Sequence, residues 1–442
     1  MFVKNLFSLF VFTAFVFVQS LEVSFGFTSD EITGKTMGTT YSIKLALGED
    51  PEKSDPEKRA TFLREIKNEV DTRLRVINDE MSTYIPDSVI SRFNQSKGLD
   101  PFAISNEFAE VIREATRISE LTGGRFDITV RPLVNFWGFG NVASQRTTLP
   151  DESELDKVLT RIGYNKLSVD ENDLTLRKSI DNLEIDLSAI AKGYAVDQIA
   201  TIIERRTPNY MVEIGGEVFA SGVNPDTDRP WSIAIEDPSS SPLLSSRTAL
   251  ARVNLADQAL ATSGDYRNIV FIEGKSFQHT MDPTSGYPVD HGVKSVSVLA
   301  ENCMTADALA TSLMVYPPNE LKEFATTNQL AVLVVFMDNG EPRIWASPKF
   351  SGEVFTSDDL AEKVVNDQPS KKLTMIFSAV VVFGLAIVGM AVGVIVSNRQ
   401  LKGSCGGLSS MAGKSEDASP CSLCTKPASD CPKKQEASEG IE

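Results

Sequence analysis

Leu373–Asn398 contains no charged residue, and this restricts the chain more than any other feature. Its 26 residues exceed the roughly 20 needed to cross a hydrocarbon core, so the run reads as a transmembrane helix. It divides the chain into a large part before it and a tail, residues 399–442, after it. Charge does not orient the span, because Lys363, Lys371 and Lys372 before it balance Arg399, Lys402 and Lys414 after it. The N-terminus does. Lys4 followed by the apolar run Leu6–Val18 has the form of a secretory signal core, with Ser20 and Gly26 as two candidate small residues for cleavage. An uncleaved anchor within residues 1–26 is the alternative. Either one exports residues 27–365, and the later span then stops transfer and leaves the tail in the cytoplasm. The expected location is a bacterial inner membrane, with the large domain in the periplasm.

The chain has 442 residues and a formal net charge of −17, with no basic face to neutralise phosphates, which argues against nucleic acid as a partner. Cysteine usage is lopsided. Cys303 stands alone before the span, while Cys405, Cys421, Cys424 and Cys431 follow it. The large domain therefore has no internal disulfide, and the tail cysteines act among themselves or with a partner.

Within residues 27–365 the hydrophobic periods alternate between strand and helix. Residues 31–47 read as strand. Phe62, Ile66, Val70, Leu74 and Ile77 share one face of a helix, and Met81–Ser88 is a loop around Pro86. A second amphipathic helix is expected from Asn106 to Leu121, stopped by Gly123-Gly124, and a third from Asp151 to Ile162. A hairpin is expected across Lys166–Val169 and Leu174–Arg177. Asn182–Ile185 alternates as a strand and leads into a helix ending near Arg205-Arg206-Thr207-Pro208. Tyr210–Phe219 reads as two strand halves interrupted by Gly215-Gly216, a place where backbone can approach a ligand. Strands at Trp231–Ile235, Arg252–Leu255, Asn268–Ile272 and Val293–Leu299, a helical run from Asn302 to Thr311, and a hairpin over Ala331–Met337 and Arg343–Ala346 complete the pattern. The fold class is α+β: mixed sheets with helices packed on them, and a site in a cleft between two lobes.

Several residues stand where chemistry could be done. Asp186 and Lys192 flank a strand-to-helix turn, where α/β proteins hold phosphates and metals, although a structural cap beside a solvated lysine gives the same pattern. Asp307 and Thr311 are four apart in a helical run, so a carboxylate and a hydroxyl project from one face. Hard oxygen donors of this kind suit Mg²⁺. Their neighbours are small and apolar, so this face is expected to be buried and Asp307 to need a partner. His279 is one of two histidines, beside Asp282-Pro283; a lone loop histidine carries little by itself.

Taken together these segments are specific. Over roughly residues 30–350 the chain resembles the FAD:protein FMN transferase (ApbE-like) family. The resemblance rests on Met37-Gly38-Thr39, Met81-Ser82-Thr83-Tyr84, Gly123-Gly124-Arg125-Phe126-Asp127-Ile128 and Asp186-Leu187-Ser188-Ala189-Ile190-Ala191-Lys192-Gly193. It continues through Val212-Glu213-Ile214-Gly215-Gly216-Glu217, Ala261-Thr262-Ser263-Gly264-Asp265, His279-Thr280-Met281-Asp282-Pro283 and Thr305-Ala306-Asp307-Ala308-Leu309-Ala310-Thr311. The resemblance implies an enzyme that splits FAD at its pyrophosphate and joins FMN to a Thr or Ser hydroxyl of an acceptor protein, releasing AMP. It implies Mg²⁺ held by Asp307, Thr311 and the backbone carbonyl of Ala189. Met37, Tyr84, Phe126, Asp127, Ile128, Asp186 and Lys192 would then surround FAD. His279, a candidate general base, or Thr280 beside it would lie near the phosphates or the incoming hydroxyl. Thr280-Met281 and Thr284-Ser285 depart from the family pattern, which more often has Ile and Arg-Thr there.

The span and tail, with Lys402-Gly403-Ser404-Cys405-Gly406-Gly407-Leu408 and then Cys421-Ser422-Leu423-Cys424 and Cys431, resemble the maturation factor of the Na⁺-translocating NADH:quinone reductase (NqrM-like). Four thiolates in a reducing cytoplasm suit iron or zinc, and the resemblance favours iron. The implied partners are FAD, the membrane, and flavin-bearing subunits of a redox complex. Two other readings stay open: an FAD pyrophosphatase with water as acceptor, and a non-catalytic flavin-binding assembly factor.

Overall fold

The computed structural model describes residues 29–47, 55–140, 146–238, 248–265 and 269–355. The expected signal, membrane run and cysteine tail (Cys405, Cys421, Cys424, Cys431) lie outside them.

The segment expected as one strand is a hairpin, β1 (Asp30–Thr36) and β2 (Thr39–Leu45), paired antiparallel. Its two-residue turn places Met37 at φ 48 and Gly38 at φ 73, both left-handed, the backbone that matches strand twist in a tight hairpin. The long helix α1 (Pro56–Met81) starts where the Asp55 carboxylate accepts from the Glu57 backbone N–H, and it buries Ile66, Val70, Leu74, Ile77 and Met81. After the expected loop come α2 (Val89–Gln95) and the short β3 (Phe102–Ala103). Then α3 (Asn106–Leu121) is capped by Ser105 at its start and ends at Gly123 and Gly124, both at positive φ.

A single 3₁₀ turn at Ile128–Val130 leads into α4 (Arg131–Phe136), followed by α5 (Glu152–Leu159) and the hairpin β4 (Leu167–Asp170) and β5 (Thr175–Lys178). The strand expected at Asn182–Ile185 does not pair. Leu183, Ile185 and Leu187 do alternate inward, but a side-chain amide replaces the ladder: Ile185 N donates to Asn94 Oδ1 (2.8 Å) and Asn94 Nδ2 donates back to Ile185 O (2.9 Å). The chain then enters α6 (Ala191–Glu204).

The strands β6 (Tyr210–Ile214), β7 (Glu217–Ser221), β8 (Trp231–Glu236), β9 (Ala249–Leu255), β10 (Gln258–Gly264), β11 (Ile269–Ile272), β12 (Lys275–Gln278) and β13 (Val293–Ala300) precede α7 (Cys303–Leu313) and α8 (Pro318–Thr327). Strands β14 (Ala331–Asp338), β15 (Glu341–Ala346) and β16 (Glu353–Val354) follow. The main sheet runs β1-β2-β6-β7-β10-β13-β14-β15. Where mixed sheets were expected, every pairing among the described strands is antiparallel; hairpin turns such as Gly215-Gly216 between β6 and β7 enforce this. Alternate residues of one strand serve two cores. Ala259, Ala261, Val298 and Val334 face the helices α6 and α7, while Leu260, Leu299, Leu333 and Val335 face the small sheet β16-β9-β8. Burial on both faces explains why β14 reads as a near-continuous apolar run.

A third, smaller core gathers Leu133, Trp137, Leu155, Ile162, Ile272 and Met281 from α4, α5 and the β11–β12 region. Trp137 is fully buried and its indole N–H donates to the Gly286 carbonyl at 2.9 Å. This cluster and the main sheet with its helices form the two walls of a cleft.

Candidate active site

Two helices meet at the cleft floor without room for a side chain. A Cβ on Gly193, in the first turn of α6, would sit 2.7 Å from Met304 Cα and closer still to the Cys303 carbonyl oxygen at the start of α7. The same approach lets Gly193 N–H donate to Asp307 Oδ2 at 3.0 Å. Asp197, one turn further along α6, accepts from the backbone N–H of Cys303 (2.7 Å) and Met304 (2.8 Å), so it caps α7 and locks the two helices. Burial pushes the Asp197 carboxyl up to about 6, against the pull of those two N–H groups.

Asp307 is 2% exposed, and Lys192 Nζ lies 3.5 Å from its Oδ1. The same ammonium is 2.6 Å from Oε1 of Glu217, itself 3% exposed. Two buried carboxylates thus share one lysine. Burial, together with the Asp307 charge, pushes the Glu217 carboxyl up to about 7 although Lys192 opposes the shift. Burial acts to lower the Lys192 ammonium, but Asp307 and Glu217 outweigh it and hold it above its ordinary range. Thr311 lies one turn beyond Asp307, its hydroxyl 3.1 Å from that of Ser263 on β10.

The cleft encloses about 380 Å³. Of the residues singled out in the sequence, Tyr84, Phe126, Asp127, Ile128, Asp186, Ala189, Lys192, His279, Thr280, Asp307 and Thr311 all line it. Met37 does not; it is spent on the β1–β2 turn and packs against the main core. Of the two histidines only His279 lines the cleft; His291 does not, and its Nε2 lies 3.1 Å from the carbonyl of Val315, its pKa lowered by burial.

Two carboxylates have more structural roles than the sequence suggested. Both oxygens of Asp127 are committed, Oδ1 to the Thr129 N–H (2.8 Å) and hydroxyl (2.6 Å), Oδ2 to the Tyr164 N–H (2.8 Å). It therefore shapes the wall formed by Phe126 and Ile128. Asp186 receives the Ser188 N–H at 2.8 Å and sits 3.6 Å from Arg131 Nη1, while its own N–H donates to Ile128 O at 2.7 Å. Glu217 and Arg131 also line the cleft and were not singled out. Glu217 could have been found, since it directly follows the glycine pair. Arg131 has no such signal. Cys303 is fully buried and burial pushes its thiol well up, so it stays inert.

The ApbE family profile matches residues 37–334. The chain belongs to the ApbE family. A second profile, described as (Na⁺)-NQR maturation NqrM, matches residues 394–440, so an NqrM domain follows the ApbE domain. Among curated relatives, the FAD:protein FMN transferase of Vibrio cholerae is 42% identical over 320 residues, 72% of this chain and 91% of that one. The Haemophilus influenzae protein of the same name is 41% identical over 314 residues, 70% and 87% of the two chains. Among solved structures, the Vibrio cholerae flavin transferase ApbE superposes with a TM-score of 0.63 at 40% identity, covering 73% of this chain and 98% of the other. Apo Pseudomonas stutzeri flavinyl transferase ApbE gives 0.63 at 31% identity, with 73% and 96% covered. The α+β ApbE-like fold expected from the sequence is therefore the fold observed.

Proposed function

We propose that this chain is an FAD:protein FMN transferase that joins FMN from FAD to a Ser or Thr hydroxyl of an acceptor protein and releases AMP. The observation that carries the reading is the buried Asp307–Lys192–Glu217 cluster on the floor of a cleft, in a chain of this family. Phosphoryl transfer asks a protein for charge neutralisation and in-line positioning more than for covalent help.

The acceptor oxygen attacks the phosphorus on the FMN side, the bond to the AMP oxygen breaks, and AMP leaves with the electron pair. His279, lining the cleft, takes the hydroxyl proton. Lys192, held cationic by its two carboxylates, offers charge to the diphosphate. Tyr84 at the exposed mouth and the Phe126–Ile128 wall hold the flavin and adenine ends.

The donors at Asp307 fit Mg²⁺. Among the described residues no group of three or more His, Cys, Asp or Glu side chains could hold a metal ion. What the cleft offers is one buried carboxylate, the Thr311 hydroxyl and the Ala189 carbonyl, with the remaining positions left to water and substrate phosphate, the set Mg²⁺ prefers. When bound, Mg²⁺ would neutralise the diphosphate.

The NqrM match supports a wider proposal. The ApbE domain, residues 27–365, works in the periplasm of a bacterial inner membrane and residues 373–398 tether it there. Its acceptors are flavin-bearing subunits of a Na⁺-translocating NADH:quinone reductase or a related complex. Cys405, Cys421, Cys424 and Cys431 handle iron (or zinc) in the cytoplasm for the same complex. The reaction is tested with the full chain, FAD, Mg²⁺ and an acceptor subunit, read as flavin fluorescence in a denaturing gel. A fluorescent acceptor band that Asp307→Ala abolishes is expected; an unlabelled acceptor counts against transfer.

A further inference from the structure

The lysine at the cleft floor is shared unequally. Lys192 Nζ bonds Glu217 Oε1 at 2.6 Å but stands 3.5 Å from Asp307 Oδ1. Both carboxylates are fixed. Glu217 opens β7, an interior strand between β6 and β10, where it pairs with Ile214 across the Gly215-Gly216 turn. Asp307 is pinned through Oδ2 by the Gly193 N–H. The lysine stem, which is flexible and 29% exposed, is the member that can move.

A shortening of only about 0.7 Å would bring the ammonium to the usual charge-assisted length on Asp307. There it would occupy the carboxylate that the reading above gives to a divalent cation, and the two cations would compete. Glu217 holds it back at a cost: its Oε2 is buried and has no hydrogen-bond partner among the described residues. An unsatisfied buried carboxylate oxygen is expensive to maintain and calls for a reason.

We propose that Glu217 is a positioning residue that holds the Lys192 ammonium off Asp307 and so keeps Asp307 open to a divalent cation. The inference rests on the Mg²⁺ reading of the site. Without Glu217, the ammonium closes on Asp307, and a cation must displace it first, so the apparent affinity falls by the fraction of molecules still open.

The test counts Mn²⁺ bound by the full chain without FAD, by electron paramagnetic resonance, in the wild type, Glu217→Gln, Lys192→Met, the double variant and Asp307→Asn. Thermal unfolding is followed on each to establish that it is folded. The wild type binds Mn²⁺ and Asp307→Asn does not. Glu217→Gln binds about tenfold more weakly, the size expected for coupled neighbours. Lys192→Met binds at least as tightly as the wild type, and adding Glu217→Gln to it changes affinity by less than about twofold. A Glu217→Gln protein that binds like the wild type overturns the inference. So does an equal loss in the Lys192→Met background, which would make Glu217 a ligand in its own right. Wild-type protein with no Mn²⁺ at Asp307 overturns the metal reading and the inference with it.

Discussion

Gly193→Ala separates packing from helix propensity, because the two predict opposite signs. Alanine is a better helix former than glycine by about 1 kcal/mol, so propensity alone stabilises the variant. The structure leaves no space for the methyl: Met304 Cα would be 2.7 Å away and the Cys303 carbonyl oxygen closer, and both atoms belong to backbone at the start of α7. Backbone cannot rotate aside, so α6 and α7 must part, and overpacking of this kind costs about 1–3 kcal/mol. Parting also stretches the Gly193 N–H bond to the Asp307 carboxylate, a charged hydrogen bond worth about 1.5–3 kcal/mol. The balance is a net loss of about 1.5–5 kcal/mol. All three tryptophans, Trp137, Trp231 and Trp345, lie in the described part of the chain, so fluorescence during urea unfolding of the full chain reports this part. A midpoint unchanged or raised in Gly193→Ala would refute the close-packed floor and with it the placement of Asp307.

Trp137→Phe removes the indole bond to Gly286 O and leaves a void in the small core, and should destabilise by about 1–3 kcal/mol in the same urea assay. Tyr84→Ala should leave stability within about 0.5 kcal/mol, because the ring is 72% exposed, yet raise KM for FAD in steady-state AMP release. Asp197 gives a pH signature. Its folded pKa of about 6 lies above the unfolded value of 3.8, so the native state binds more protons between them. Its contribution is therefore complete below the unfolded pKa and is lost as pH rises through about 6, by up to about 3 kcal/mol. Unfolding free energies measured from pH 4 to 7 should fall less steeply in Asp197→Asn than in the wild type; parallel curves would contradict the assignment.

Much of the ApbE domain was legible where one physical pattern acts alone. The 3.6-residue period of Ile66, Val70, Leu74 and Ile77 fixes α1, and Gly123-Gly124 marks the end of α3. The pattern misled where a side chain replaced backbone pairing. Leu183 and Ile185 are buried alternately as in a strand, but Asn94, ninety-one positions from Ile185, takes the hydrogen bonds, and no local pattern shows that. The turn within residues 31–47 was hidden because Met37 adopts a left-handed conformation unusual for its type. Helices α2 and α8 went unread because each is short and has proline shortly before or at its start, Pro86 for α2 and Pro317-Pro318 for α8. At the site, residue types and spacing marked Asp307 and Thr311, whereas Lys192 and His279 gained their weight only from the family resemblance. Which carboxylate holds Lys192 depends on Glu217 meeting α6 across the sheet, a tertiary fact.

The central claim is group transfer, and the stoichiometry of its two products tests it most directly. Full-length protein, FAD, Mg²⁺ and an acceptor subunit would be sampled over time, with AMP measured by chromatography and protein-bound flavin by absorbance after denaturation. The account predicts one AMP for each flavin attached, both absent in Asp307→Ala. AMP accumulating with free FMN and no flavin on the acceptor would make water the acceptor and contradict it.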